Sequence, residues 1–293
     1  MPFNFLHDAP RRVVIVNPTG RYAMAQVAAM RAAGTALVAG IAPGRGGTML
    51  DGLPLLDDLS ELDAPADAAV LYTPPEGVLD AVRAAVAARI PLIVAAAEYV
   101  PVHDGLKAAQ EARAGGCWLV GPNTLGLCIP ERTLLGSIAP EFCTPGPVAL
   151  LCRSGTLTLA LARLLTEAGI GQSAVIHMGG DLVIGRNPQD YLALLAADPA
   201  TRAVLYCGEL GGDKEYALAA ALQDFGKPLV ALVMGRHAPE GTRMGHAGAL
   251  AGAARETAAA KLAVLAAAGA VAVERPEQAV AALLCLTSAP SAG

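Results

Sequence analysis

The 293-residue chain is poor in charged and aromatic side chains, which make up 16% and 4% of its residues, whereas 54% are hydrophobic. Its net charge of −5 gives no overall electrostatic attraction to nucleic acid. Long apolar runs are also missing: the stretch from Ile90 ends at Glu98, far short of the roughly 20 residues that span a bilayer. The beginning of the chain lacks the basic and apolar regions of a secretory signal. We therefore expect a cytoplasmic protein that binds neither nucleic acid nor membrane.

Paired cysteines are missing as well. None of the six cysteines belongs to a CxxC pair, and the five histidines are scattered along the chain. This spacing argues against a structural zinc site and against a disulfide framework. We expect reduced, mostly buried thiols and no metal bound by this chain.

The sequence does contain a regular alternation of short aliphatic runs and longer alanine-rich stretches. Such alternation predicts right-handed βαβ units and mostly parallel sheets. The predicted strands are 12–17, 35–41, 68–72, 91–95, 117–120, 148–152, 174–178, 203–210, 228–234 and 270–273. The predicted helices cover 23–33, 77–88 and 104–114, begin near Thr156, Pro188, Lys214 and Ala259, and end with 276–286.

The alternation breaks at residues 127–147, which are rich in proline and glycine. We therefore predict two successive parallel α/β domains, over residues 1–126 and 148–293, joined by a linker at 127–147.

Ligands of open parallel sheets bind beyond the carboxyl ends of the strands, so the loops that follow the strands are candidate sites. The first, NPTGRYA at 17–23, places Gly20 at a helix N-terminus that can attract a phosphate, although an ordinary turn is an equally simple interpretation. The second, APGRGGT at 42–48, has Arg45 where a nicotinamide-binding fold has an acid. Arginine suits a phosphorylated ribose, as in NADP or coenzyme A, and an exposed loop arginine is the alternative.

Small residues and prolines in the loops after the next three strands predict an apolar slot. Glu98, which follows a buried strand, is either a helix-start acid or a ligand contact. Asn123, in GPNTLG at 121–126, most simply holds a turn through its side-chain amide.

Three loops of the second half together indicate phosphoryl chemistry. Ser154, Gly155 and Thr156 lie where a strand meets a helix, which predicts an anion-binding helix start or a plain N-cap. His246 lies among small residues in RMGHAGA, where a tetrahedral group can approach its ring. An imidazole that accepts a phosphoryl group needs a carboxylate on its other nitrogen, and Glu209, at the end of a strand, is a candidate. A solvated surface histidine is the alternative.

Ten motifs occur in an order that resembles the α subunit of succinyl-CoA synthetase, the succinate–CoA ligase family: PTG, PGRGGT, LPL, GPN, CRSGTLT, GQS, GGD, GELGG, KP and RMGHAGA. The resemblance covers nearly the whole chain, and RMGHAGA is highly specific. It implies an N-terminal CoA-binding Rossmann-like domain and a C-terminal flavodoxin-like ligase domain. It also implies a small carboxylate substrate and an ATP-grasp β subunit as partner, which holds ATP or GTP with Mg²⁺.

The resemblance assigns a role to each candidate residue. An acid would be activated as an acyl phosphate by way of phosphorylated His246, hydrogen-bonded by Glu209, with the phosphate facing the helix start at 154–156. Coenzyme A would then attack the acyl carbon. Asn123 is grouped with the CoA contacts, which fall on Thr19, Gly20, Arg21, Tyr22, Arg45, Ala96, Ala97 and Glu98.

Some positions depart from the family pattern. The departures are Asn17 and Ala23 for glycines, Arg21–Tyr22 for Ser-Gln, Arg45 for lysine, Leu159 for tyrosine, HMGGDL at 177–182 for GIGGDP, and His237 for threonine. Several of these lie near the acid in the family, so the pattern is compatible with succinate or with the acid of a malate–CoA or citrate–CoA ligase. Two other functions are open: a non-catalytic CoA-binding or regulatory paralogue, and an NADP-dependent oxidoreductase.

Overall fold

A computed structural model describes residues 4–7, 10–236 and 253–288 of the chain. The chain divides into two compact units: Met1–Ile138 with Asp181–Arg186, and Ala139–Gly180 with Asn187–Gly293. Each unit is an α/β structure, so the predicted fold class is confirmed.

The first unit contains nine strands and three α-helices within the described residues. The strands are β1 Val13–Val16, β2 Leu37–Ile41, β3 Met49–Leu50, β4 Leu53–Leu56, β5 Ala68–Leu71, β6 Leu92–Ala95, β7 Trp118–Val120, β8 Gly126–Ile129 and β9 Thr133–Gly136. The helices are α1 Arg21–Ala32, α2 Val78–Ala87 and α3 Val102–Ala114. Seven strands form a sheet in the order β3-β4-β2-β1-β5-β6-β7, in which β3–β4 is antiparallel and the other pairs are parallel. All residues of β5 and β6 are buried, as expected for strands covered on both faces.

The second unit is built on five parallel strands in the described part of the chain. They are β10 Pro145–Cys152, β11 Gln172–His177, β12 Ala203–Glu209, β13 Leu229–Met234 and β14 Val271–Val273, in the order β14-β13-β12-β10-β11. The helices are α4 Gly155–Glu167, α5 Pro188–Ala197, α6 Lys214–Leu222, α7 Ala258–Ala267 and α8 Pro276–Ser288. Every residue of β12 is buried, which places this strand at the centre of the core.

Residues 127–147 differ from the irregular linker that the sequence predicted. They contain most of an antiparallel hairpin, β8–β9, in which Gly126 pairs with Gly136, and also the beginning of β10. A Cβ atom on Gly126 would lie 1.8 Å from the carbonyl oxygen of Leu135. The glycines that suggested a loop therefore allow two strands to approach closely, a use that composition alone does not distinguish from a turn.

Three further findings concern the described residues. None of their helices is long and apolar enough to cross a membrane. No group of three or more histidine, cysteine or acidic side chains among them could hold a metal ion. All six cysteines fall within the described ranges and are free thiols, of which only Cys285 is exposed.

Candidate functional site

The order of strands in the first unit reverses at β1, which lies between β2 and β5. Open parallel sheets bind ligands at such a switch point, beyond the carboxyl ends of the strands. Asn17 follows β1 there: its backbone N–H donates to the carbonyl oxygen of Ile41 at 2.8 Å, and its side-chain amide donates to that of Tyr72 at 3.2 Å. Asn17 has φ of 59°, a conformation that asparagine tolerates better than most residues. Asparagine can therefore replace the family's glycine while joining the ends of three strands.

The loop at residues 19–22 forms the start of α1. Gly20 precedes the helix, and a Cβ atom placed on it would meet nothing within 4 Å. The first turn carries no acidic side chain, so the positive end of the helix dipole is not offset by a carboxylate of that turn. Arg21 and Tyr22 are exposed, whereas Thr19 is half-buried. The geometry of this helix start is compatible with an anion, and anion binding by the loop stays a prediction.

Two buried hydroxyl groups follow β5 at the same switch point. The Tyr72 hydroxyl and the Thr73 Oγ1 atom have no hydrogen-bond partner among the described residues. Burial raises the pKa of Tyr72 above its usual value, and the ring of Tyr22 packs edge-on against it at 5.9 Å between centroids. Buried polar atoms are nearly always hydrogen-bonded in proteins. Two such atoms without a partner, at the edge where ligands bind, fit a site that a polar ligand completes.

Arg45 lies exposed in the loop that follows β2. The carboxylate of Asp57 holds this loop, accepting from the backbone N–H of Arg45 at 3.0 Å and of Gly46 at 2.8 Å. A Cβ atom on Gly46 would lie 2.6 Å from the same carboxylate, which explains the small residue there. Asp57 therefore holds the backbone of this loop, from which the exposed Arg45 extends.

The loops after β6 and β7 are joined to each other. The backbone N–H of Asn123 donates to the carbonyl oxygen of Ala97 at 2.7 Å. The Asn123 side chain donates to one oxygen of Asp181 at 3.1 Å, and the other oxygen accepts from the Val100 N–H at 3.2 Å. The sequence predicted that the Asn123 side-chain amide holds a turn. Instead, this amide donates to the buried Asp181, 58 residues further along the chain, and the carboxylate links the two loops. Ala96 and Ala97 are half-buried beside this link, and Glu98 is exposed.

In the second unit, Ser154 is the N-cap of α4. Its Oγ atom accepts from the backbone N–H of Leu157 at 3.4 Å, so the capping alternative is observed. Capping and anion binding are compatible, because the first turn contains no acidic residue and the helix dipole still favours a negative charge. Gly155 is half-buried and Thr156 is exposed, so the start of the helix is accessible.

Glu209 and Arg153 form a buried ion pair at the carboxyl ends of β12 and β10. The Arg153 Nη2 atom lies 3.0 Å from Glu209 Oε1, and the two residues are 4% and 7% exposed. Arg153 Nε donates to the carbonyl oxygen of Gly179 at 2.8 Å, and the ring of His177 donates to the carbonyl oxygen of Arg153 at 3.0 Å. Sequence reasoning did not select Arg153. The available signal was a charged residue directly between a buried strand and the Ser-Gly-Thr helix start.

His246, the predicted nucleophile, lies outside the described residues, as does His237. The structure therefore brings Glu209 to the sheet edge on which Ser154 also lies, while the role of His246 stays a prediction.

The comparisons with known proteins identify the family. Residues 8–99 match the CoA binding domain and residues 151–271 match the CoA-ligase domain. An α subunit of ADP-forming succinate–CoA ligase from Archaeoglobus fulgidus is 40% identical over 90% of this chain and 92% of its own length. A subunit of ADP-forming sulfoacetate–CoA ligase from Bilophila wadsworthia is 37% identical over 96% of this chain and 97% of its own.

Solved structures share the fold. ATP citrate lyase from Methanothrix soehngenii, in complex with citrate and coenzyme A, superposes with a TM-score of 0.85 at 25% identity over 94% of this chain. This chain spans about half, 49%, of that longer protein. The dinucleotide-forming acetyl-CoA synthetase 1 of Ca. Korarchaeum cryptofilum shares the fold, with a TM-score of 0.80 at 20% identity. The chain is a CoA-ligase subunit with an N-terminal CoA-binding domain. More particularly, it belongs to the family of succinate–CoA ligase α subunits.

The half-buried Lys214, at the start of α6, provides a test of the electrostatics of the second unit. Burial lowers its pKa to about 8, and the positive charge of Arg153 acts in the same direction. The pKa of an unfolded lysine is about 10.4. Between these values the unfolded chain binds more protons, so the lysine makes the free energy of unfolding increase with pH over this window. We expect Lys214→Met to flatten the increase, measured by urea unfolding at several pH values. The exposed Lys107→Met is the matched control, and an unchanged pH dependence in Lys214→Met would contradict the assignment.

Proposed function

We propose that this chain is the catalytic α subunit of an ADP-forming acid–CoA ligase in which His246 carries the phosphoryl group. The observation that supports this most directly is the buried Glu209 carboxylate, held by Arg153 at the sheet edge where the Ser154 helix start also lies. A carboxylate fixed in this way suits the orientation of an imidazole, and the helix start suits the phosphate.

The proposed reaction has three transfers. A nitrogen of neutral His246 forms a bond to the γ-phosphorus of ATP as the bond to ADP breaks. Glu209 accepts the N–H of the other ring nitrogen and so fixes the tautomer and supports the positive charge that develops on the ring. A carboxylate oxygen of the acid then takes the phosphoryl group, which returns the imidazole to its neutral form. Finally, the CoA sulfur attacks the acyl carbon as the bond from that carbon to the phosphate oxygen breaks, and the thiol proton leaves with the phosphate as hydrogen phosphate.

Nucleotide and Mg²⁺ are assigned to a β subunit with an ATP-grasp fold. The relatives from Archaeoglobus fulgidus and Bilophila wadsworthia are subunits of ADP-forming ligases, which favours ATP as the nucleotide. Mg²⁺ would neutralise the phosphate charge while the nucleotide is bound. The chain described here supplies the histidine, its orienting carboxylate and the CoA-binding unit.

Coenzyme A is assigned to the switch point of the first unit. The open space at Gly20, the helix start and the two buried hydroxyls of Tyr72 and Thr73 together provide room for a ligand, an anion-accepting terminus and polar partners. Arg45, whose loop Asp57 holds, would contact the phosphate on the CoA ribose. The family assignment supports CoA rather than NADP at this site, and therefore does not favour the oxidoreductase.

The proposed substrate is a small acid with a second anionic group. The names of the two relatives specify succinate and sulfoacetate, and each of these acids has a carboxylate and a second anion one or two carbons away. Leu159 and His177 depart from the family pattern where the acid is expected, and these departures are compatible with more than one dianion as the substrate.

The phosphohistidine is tested by labelling the complex with γ-labelled ATP in the presence of the β subunit. We expect an acid-labile, base-stable phosphate on the wild-type chain and none on His246→Ala. His103→Ala, which removes an exposed histidine from α3, is the matched control and should keep the label. Glu209→Gln should slow labelling by about a hundredfold, because the amide cannot stabilise the charged ring. A phosphate label that persists in His246→Ala would contradict the assignment of His246. If the wild-type complex forms no label, the non-catalytic paralogue gains support.

The role of Arg45 is tested by comparing CoA with dephospho-CoA, which lacks the ribose phosphate. Loss of one charge-assisted contact in Arg45→Gln should weaken CoA binding by about tenfold and leave dephospho-CoA unaffected. Isothermal titration measures both affinities. Arg113→Gln, an exposed arginine of α3, is the control. Equal losses for both ligands, or no loss for CoA, would contradict the contact.

The substrate class is tested by measuring thioester formation with succinate, sulfoacetate, malate, citrate and acetate. We expect at least one of the four acids with a second anionic group to exceed acetate by tenfold or more in kcat/KM, since each charge-assisted contact contributes about 1.5–3 kcal/mol. A preference for acetate would overturn the substrate class while leaving the phosphohistidine intact.

A further inference from the structure

A buried network of a lysine, a glutamate and a tyrosine contacts the backbone of Glu209, and the proposed reaction does not use it. Its members are Lys261 on α7, Glu215 on α6 and Tyr206 on β12, each at most 1% exposed. Burying a lysine–glutamate pair removes two charges from water and often fails to stabilise a protein relative to apolar residues. Stability alone therefore does not account for this buried pair.

The Lys261 ammonium has two hydrogen-bond acceptors on the backbone and one carboxylate as its ion-pair partner. It donates to the carbonyl oxygen of Glu209 at 2.9 Å and to that of Gly211, and it pairs with Glu215 Oε2 at 2.6 Å. The two backbone acceptors lie at the end of β12, whose last residue is Glu209. The ammonium thus fixes the chain on both sides of Leu210.

Glu215 holds the ammonium in this place. Its second oxygen accepts from the hydroxyl of Tyr206 at 2.7 Å, and Tyr206 belongs to the central strand β12. A Cβ atom on Gly208 would lie 2.4 Å from Glu215 Oε1, so the glycine of GELGG makes room for this carboxylate. The network therefore accounts for the first glycine of this motif.

We propose that Lys261 is a positioning residue that sets the orientation of Glu209 through the backbone, with Glu215 as its counter-ion. Arg153 holds the Glu209 carboxylate and Lys261 holds its main chain, so the side chain is fixed at both ends. This inference rests on the proposed function, because it concerns the carboxylate that would orient His246.

The test is the double substitution Lys261→Met/Glu215→Gln. It removes the ammonium without leaving a buried carboxylate unpaired, and glutamine can still accept from Tyr206. We expect the rate of phosphohistidine formation by the complex with the β subunit to fall by tenfold or more, with the KM for coenzyme A unchanged. Lys227→Met is the matched control. Lys227 Nζ also donates to two backbone carbonyls, those of Leu195 and Asp198, both at 2.6 Å, but it holds the end of α5. This control should lower the melting temperature without changing the phosphorylation rate.

A role through Glu209 is separated from a general structural role by a mutant cycle. In the Glu209→Gln background, the double substitution should cause little further loss, because the group that it positions is already disabled. An equal loss in both backgrounds, or an unchanged rate in the double variant, would overturn the inference. If the double variant does not fold, Glu215→Gln alone must still slow phosphorylation several-fold, and an unchanged rate there would also overturn it. Failure of the wild-type complex to form phosphohistidine would instead refute the proposed function.

Discussion

The ion pair between Arg153 and Glu209 is the interaction on which the arrangement of the second unit's site depends. A carboxylate that is 7% exposed would be strongly disfavoured without a cation beside it, and Arg153 supplies that cation from the neighbouring strand end. Because β10 and β12 are parallel neighbours, the residues that follow each of them emerge at the same edge. Ser154, at the start of α4, directly follows Arg153 in the chain. The ends of these two strands therefore position a cation, an anion and a helix terminus together.

The sequence was sufficient to predict most of the framework because the framework consists of local patterns. The strands β1, β2, β5, β6, β7, β12, β13 and β14 lie within their predicted ranges, and β10 and β11 overlap theirs. The position of Glu209 at a strand end followed from the same alternation of apolar runs. The hairpin β8–β9 could not be predicted in this way. Glycines such as Gly126 and Gly136 are typical of turns, but here they allow two strands to approach closely.

The charged residues that support the site could not be predicted from the sequence, for a different reason. Lys261 stands in an alanine-rich helix, where a lysine is normally placed on the solvent side. Its burial depends on Glu215 and on two carbonyl groups that are distant in sequence and become neighbours only when the helices pack on the sheet. Asp57 and Asp181 are similar cases, since each accepts backbone or amide hydrogens from a loop that no periodicity connects to it.

The segment Asp181–Arg186 belongs to the first unit although the residues on both sides of it in the chain belong to the second. A fragment that stopped at Ile138 would lack the carboxylate that accepts from Val100 and Asn123. A recombinant that joined the front of one homologue to the back of another would take this short segment from the second homologue. The family pattern keeps the aspartate, but the residues around it differ, HMGGDL here and GIGGDP in the family. Chimeras in which the segment comes from the same homologue as the N-terminal half should therefore keep these loop contacts best.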